Sequence, residues 1–134
     1  MNESTCTIYE NGDKIWRNSK GERHRVDGPA IERVNGYKAW FVNGQRHCAN
    51  GPAIECANGD KAWYFNGQCH RTDGPAIERA NSIKAWYFHG ELHRVDGPAI
   101  KFVNGRKEYW YRGEQITEEV FYSDEFQVRM VMES

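Results

Sequence analysis

The stretch His24-Arg25-Val26-Asp27-Gly28-Pro29-Ala30-Ile31-Glu32 recurs along the chain. It returns as His70-Arg71-Thr72-Asp73-Gly74-Pro75-Ala76-Ile77-Glu78 and as His93-Arg94-Val95-Asp96-Gly97-Pro98-Ala99-Ile100-Lys101. A worn copy, His47-Cys48-Ala49-Asn50-Gly51-Pro52-Ala53-Ile54-Glu55, lies between them. The Gly-Pro pairs begin at 28, 51, 74 and 97, a fixed interval of 23 residues. Such a period marks a repeat architecture, in which each supersecondary unit buries its apolar face against its neighbour. Crowded histidine, arginine and aspartate also raise a chemical question. These residues could form a catalytic site, a metal site or part of the frame.

Between the copies the chain reads as strands and turns. Asn35-Gly36, Asn58-Gly59 and Asn104-Gly105 mark one set of turns, and Asn43-Gly44 and Asn66-Gly67 the other, with Asn81-Ser82 and His89-Gly90 as weaker versions. Asn-Gly between short apolar runs predicts a β-hairpin, because both residues tolerate positive φ. The runs between turns suit strands and are too short for helices. A two-residue turn at Asn35-Gly36 places Ile31 opposite Trp40, and likewise Ile54 opposite Trp63 and Ile77 opposite Trp86. Proline lacks an N–H, so Gly-Pro fits the first residue of a strand. An incomplete opening unit is visible in Ile8, Gly12, Trp16, Gly21 and His24. The expected fold is all-β: an elongated, twisted antiparallel meander of repeated hairpins, with about ten strands. Residues 1–116 form this repeat domain, and 117–134 a separate capping or dimerising segment.

The segment from 117 breaks the period. Thr117-Glu118-Glu119-Val120-Phe121 opens like a short helix over 117–123, with a capping threonine and two acids at the positive end of the dipole. Beyond it, Phe126, Val128, Met130 and Met132 fit a strand or a continued helix equally. Either form would cover the last sheet edge, and Met130 and Met132 offer a dimer contact as the alternative.

The chain's 134 residues suit one domain. With 39% apolar and 13% aromatic residues it can build a core. A net charge of -1 argues against a nucleic-acid binder, since such domains are usually basic. There is no apolar run of membrane-spanning length and no signal-peptide centre near the N-terminus, so the cytosol of whatever cell makes or receives the protein is the expected compartment, with no membrane partner. Cys6, Cys48, Cys56 and Cys69 are then expected as free thiols.

Asn43-Gly44-Gln45-Arg46-His47 and Cys56-Ala57-Asn58-Gly59-Asp60-Lys61, set on the 23-residue period, resemble MORN repeats. The whole pattern also resembles the Asp-Gly-Pro-Ala-Ile-Glu repeat proteins of bacteriophages and other large DNA viruses. The resemblance covers residues 8 to 116. It departs from standard MORN in the added Gly-Pro, in a Trp-to-Gly spacing of four, and in the Arg or Cys after His. It implies the architecture and a viral or mobile-element origin. It carries no catalytic residues, and the lipid association of MORN proteins is not transferred.

The chemical suspects divide as follows. Zinc needs ligand atoms about 2.0–2.1 Å from one ion. His24, His47, His70 and His93 occupy equivalent positions in units roughly 10 Å apart, so they do not converge. No cofactor is expected. Each histidine is expected to pack beside its unit's tryptophan or to bond a turn carbonyl. The pairs His24/Asp27, His70/Asp73 and His93/Asp96 recur, whereas an active site needs one asymmetric constellation. Asp before Gly-Pro is expected to accept backbone N–H groups, and Arg25, Arg71 and Arg94 to pair with an aspartate of the adjacent unit. Columns of Glu32, Glu55 and Glu78 and of Lys38, Lys61, Lys84 and Lys107 suggest cross-strand ion pairs.

The aromatic residues carry the binding expectation. Alternation sends Trp63 and Phe65 to one face and Tyr64 to the other. Tyr64, Tyr87 and Trp110 then form an exposed stripe, with Trp63, Trp86 and the unit-specific His89 as further candidates. The repeats and this stripe predict a non-enzymatic interaction module that binds another protein, and the resemblance to the phage repeat proteins implies that the partner is a host protein which it inhibits, in the manner of a counter-defence factor. A binder of a small molecule, glycan or nucleotide on the aromatic row is the alternative.

Overall fold

The computed structural model describes residues 3–134. Its main element is an eleven-stranded antiparallel sheet in which the strands lie in chain order. It opens with the hairpin Thr5–Ile8 and Lys14–Arg17. Pairs of two-residue strands follow, beginning with Ile31–Glu32 and Lys38–Ala39, then Ile54–Glu55 and Lys61–Ala62. The sheet closes with Lys107–Tyr111 and Glu114–Ile116. Three further hairpins stand beside it: Phe41–Val42 with Gln45–Arg46, Tyr64–Phe65 with Gln68–Cys69, and Tyr87–Phe88 with Glu91–Leu92.

The two rows of hairpins arise because each long strand breaks at its tryptophan. In Lys61-Ala62-Trp63-Tyr64-Phe65, the first two residues pair within the main sheet and the last two form the side hairpin. Trp63 joins the rows: its N–H donates to the Ala76 carbonyl at 2.7 Å, and its own carbonyl accepts from the His70 N–H at 2.9 Å. Trp40 and Trp86 do the same with Ala53 and His47, and with Ala99 and His93. The alanine of each Gly-Pro-Ala sits at this junction. Ala30, Ala53, Ala76 and Ala99 have no exposed surface. Their N–H groups are held by the carbonyls of Ala39, Ala62, Ala85 and Glu108, each at 2.8 Å.

This corrects the expected register. Ile31 lies opposite Ala39, Ile54 opposite Ala62 and Ile77 opposite Ala85, one residue short of the tryptophans. The cause is turn chemistry. At Arg33–Tyr37 the Arg33 N–H donates to the Tyr37 carbonyl, and only Gly36 takes positive φ, at 95°. That is a three-residue loop with a bulge at the glycine. At Asn43-Gly44 both residues have positive φ, 50° and 83°, which gives the expected two-residue hairpin. One dipeptide therefore makes two different turns.

The C-terminal segment forms two helices. Helix α1 spans Glu118–Phe121 and α2 spans Asp124–Glu133. The Thr117 Oγ1 caps the first by accepting the Val120 N–H at 3.1 Å, and the Ser123 Oγ caps the second by accepting the Phe126 N–H at 3.2 Å. The short helix expected over 117–123 is thus two helices, because Ser123 stops one and starts the next. Phe121, Phe126 and Met130 pack on Tyr109 and Tyr111 of the last long strand. Met130 therefore belongs to the core of its own chain, while Met132 is 79% exposed.

Phe121 is 1% exposed, with the rings of Tyr109 and Tyr122 each 4.9 Å away. Phe121→Ala should lower the unfolding free energy by about 3–5 kcal/mol, read by denaturant titration of the full chain. A change below about 1 kcal/mol would mean that the helices do not close the sheet.

Candidate functional site

Three of the units carry an arginine clamp. The Arg25 guanidinium lies over the Trp16 ring, 3.9 Å from its centroid, and Arg71 over Trp63 and Arg94 over Trp86 at the same distance. Stacking of this kind contributes about 0.5–2 kcal/mol. Arg71 Nε donates to Asp73, while its Nη1 donates to the Pro75 carbonyl and to Glu78, all at 3.0 Å. Arg25 makes the same set with Asp27, Pro29 and Glu32 at 3.1, 3.2 and 3.1 Å. Arg94 keeps Asp96 and the Pro98 carbonyl, at 2.8 and 3.1 Å. Lys101 stands where a glutamate would be.

Two expectations change here. Each arginine pairs with the aspartate of its own unit rather than a neighbour's, because the stack on tryptophan turns it back over its own loop. The aspartates accept from that guanidinium rather than from backbone N–H groups. Glu32 and Glu78 also turn toward arginine, although their backbones lie opposite Lys38 and Lys84.

The histidines tie consecutive units together. The Nδ1 of His24 accepts the Asn43 N–H at 2.9 Å, His47 accepts that of Asn66 at 3.0 Å, His70 that of His89 at 2.8 Å, and His93 that of Arg112 at 2.9 Å. Each donor is the first residue of a tight turn and has positive φ. The expectation of a bond to a turn carbonyl is thus reversed in polarity: the imidazole accepts. An Nδ1 acceptor must be unprotonated, so this bond requires the neutral ring with its proton on Nε2. Burial holds the imidazoles of His70 and His93 below the ordinary histidine range, helped by His89 in the first case and Arg112 in the second.

The aromatic residues line two neighbouring clefts. One, of about 590 Å³, is floored by Trp63, Tyr64 and Phe65 and walled by the loops Cys48–Pro52 and His70–Asp73. The next, also about 590 Å³, is floored by Trp86, Tyr87 and Phe88 and walled by Arg71–Gly74 and His93–Asp96. Alternation fails across Trp63 because the strand breaks there, so three consecutive aromatics meet one cavity. Tyr64, Tyr87 and Trp110 are half-buried, and the more exposed rings are Phe65 and Phe88, at 43% and 42%. Trp110 lies one unit further along, its indole N–H donating to Glu108 at 3.1 Å. His89 lines a separate cavity of about 490 Å³ with His93 and Tyr111, and its ring stacks on His70 at 4.2 Å. Phe65 and Phe88 were not singled out by sequence reasoning as binding residues. The break at tryptophan that exposes them leaves no local signal.

All four cysteines are free thiols. Burial raises the Cys69 thiol to about 11, which keeps it protonated and weakly nucleophilic. Among the described residues no group of three or more His, Cys, Asp or Glu side chains is placed to hold a metal ion. Among the described residues no helix is long and apolar enough to cross a membrane. No protein-family model matches the chain, and no curated protein sequence matches it.

The clamp and the ties each have a measurable consequence. A Cβ at Gly28 would stand 2.8 Å from the Arg25 Cζ, whereas a Cβ at Gly51 would meet nothing within 4 Å. Gly28→Ala should therefore be about 1 kcal/mol less stable than Gly51→Ala in thermal unfolding. Equal stabilities would contradict the clamp.

The second concerns pH. The native pKa values of His70 and His93 lie below the ordinary 6.5, so the unfolded chain takes up protons first. Stability is complete above 6.5 and declines as pH falls below it, until the native imidazoles also protonate. Asp13, Asp60, Glu108 and Glu133 are held below the usual carboxylate range, mainly by hydrogen bonds, so their contribution is lost at lower pH. The melting temperature should fall between about pH 7 and pH 5, and His70→Gln/His93→Gln should flatten that slope. An unchanged slope would remove the histidines from the account.

Proposed function

We propose that this protein is a non-enzymatic interaction module that docks another protein along the face bearing the two aromatic clefts. The observation that carries this reading is the repetition of one open cleft in adjacent units, each floored by Trp-Tyr-Phe with an exposed phenylalanine. Stacked repeats present extended surfaces, and buried aromatic anchors ringed by polar groups suit protein partners. The side chains best suited to chemistry are already engaged: imidazoles hold turn N–H groups, and guanidinium groups hold loops. The Asp-Gly-Pro-Ala-Ile-Glu pattern supports a phage or mobile-element origin. A factor of that kind acts in the host cytosol by blocking a host enzyme, as counter-defence proteins do.

The volume of each cleft favours a second reading. About 590 Å³ falls within the range of small-ligand pockets, and the aromatic floor suits a sugar or a base.

The experiment compares the wild type with Phe65→Asp/Phe88→Asp and with Val103→Asp, a control at an exposed turn. Affinity capture from bacterial lysate should yield one stoichiometric protein with the wild type and with the control. The cleft variant should lose at least about tenfold in affinity while melting normally. A melting shift with a nucleotide or oligosaccharide and no protein partner would favour the second reading. Capture that survives the cleft variant would overturn the first.

A further inference from the structure

The second repeat lacks its guanidinium but keeps the site for one. Cys48 stands where Arg25, Arg71 and Arg94 stand, and Asn50 where Asp27, Asp73 and Asp96 stand. The surrounding backbone is the same. The Cys48 N–H donates to the Tyr64 carbonyl at 3.2 Å, just as the Arg71 N–H donates to Tyr87 at 3.2 Å. The Trp40 N–H reaches the Ala53 carbonyl at 2.7 Å, as Trp63 reaches Ala76.

What differs is the space above Trp40. In the other three units a Cβ on the Gly-Pro glycine would meet an arginine Cζ at 2.8, 3.0 or 3.1 Å, and at Gly51 it would meet nothing within 4 Å. Among the described residues no cation lies over the Trp40 ring, and Glu55 has no ion pair, whereas its equivalents Glu32 and Glu78 each hold an arginine. The loop residues Cys48, Asn50, Gly51 and Pro52 also form one wall of the first cleft.

We propose that the second repeat is a receptor for an arginine side chain of a partner protein. Trp40 offers the aromatic face, the Pro52 carbonyl and the Glu55 carboxylate offer the acceptors that Pro75 and Glu78 offer to Arg71, and the Asn50 amide oxygen replaces the aspartate. The chain's own arginines are the template for the occupant. Three times the same frame takes a planar, forked cation 3.9 Å from the ring. A lysine matches it less well, since an ammonium neither stacks flat nor donates as a fork. Glu55 supplies the complementary charge. The inference rests on the reading of the cleft face as a protein-binding surface, and its test needs no knowledge of the partner.

The test uses the full chain labelled with ¹⁵N and titrated with N-acetyl-arginine amide, with capped lysine and capped citrulline as comparisons. The stack and the charge-assisted hydrogen bonds together should give saturable arginine binding with a dissociation constant on the order of millimolar. Shifts should be confined to the Trp40 indole N–H and the amides of residues 48–55. Lysine should bind about tenfold more weakly, and uncharged citrulline should not bind. Cys48→Arg should fill the place from within and abolish binding. Glu55→Gln, a conservative change that leaves the frame intact, should weaken it about tenfold. Three results would overturn the proposal: no saturation with arginine, equal shifts at Trp63 and Trp86, or undiminished binding in Glu55→Gln. These outcomes are independent of the phenylalanine variants, so the receptor site and the wider docking surface can fail separately.

Discussion

Each repeat is tied to the next by an imidazole that accepts a backbone N–H from a turn 19 residues further on. The rest of the architecture depends on such ties because most strands here are only two residues long. Strands in globular proteins usually run to five or six residues, and a two-residue strand offers few ladder bonds. Side hairpins such as Tyr64–Phe65 with Gln68–Cys69 would otherwise stand nearly alone. They are joined to the preceding unit by a few backbone bonds, such as the Gly67 N–H to the Arg46 carbonyl and the Cys48 N–H to the Tyr64 carbonyl, and by the histidine. An imidazole suits this task because Nδ1 lies close to the backbone and accepts without carrying charge.

The arginine clamp does for the loop what the histidine does for the turn. Its guanidinium is stacked on tryptophan and spread over an aspartate, a proline carbonyl and a glutamate. The Asp-Gly-Pro bend is thereby pinned without help from regular secondary structure. Glycine beside the clamp leaves the guanidinium its place, since a Cβ at Gly28 would stand 2.8 Å from the Arg25 Cζ and displace it. The nine-residue motif is therefore one mechanical unit: His for the neighbouring turn, Arg for the local loop, Gly for clearance, Ala for the buried junction. The same logic explains why the second repeat stands apart. Losing Arg and Asp together, while keeping Trp40, Pro52 and Glu55, removes the occupant and leaves the frame.

Much of this was legible in the sequence. The 23-residue period and the Asn-Gly dipeptides establish repeated hairpins, and the antiparallel sheet with strands in chain order follows from them. Register was harder to read. The bulged turn at Arg33–Tyr37 and the tight turn at Asn43-Gly44 share a dipeptide, and only the backbone dihedrals separate them. The break at Trp63 was hidden because Lys-Ala-Trp-Tyr-Phe looks like one good strand. Its consequence is that Phe65 and Phe88, rather than the tyrosines, carry the most exposed rings of the clefts. The tail was half legible: Thr117 announces a cap, but the second start at Ser123 comes from a common residue in an unremarkable context. The open place above Trp40 was visible in sequence only as an imperfect repeat. Its meaning needed the positions of the arginines in the other units.

The recurrent histidines belong to the frame as neutral acceptors of turn N–H groups. The most direct measurement is long-range ¹H–¹⁵N correlation spectroscopy of the imidazole rings at neutral pH. The account predicts that His24, His47, His70 and His93 each carry the proton on Nε2, with Nδ1 unprotonated and coupled to the turn amide. Rings protonated on Nδ1, or cationic at neutral pH, would contradict it.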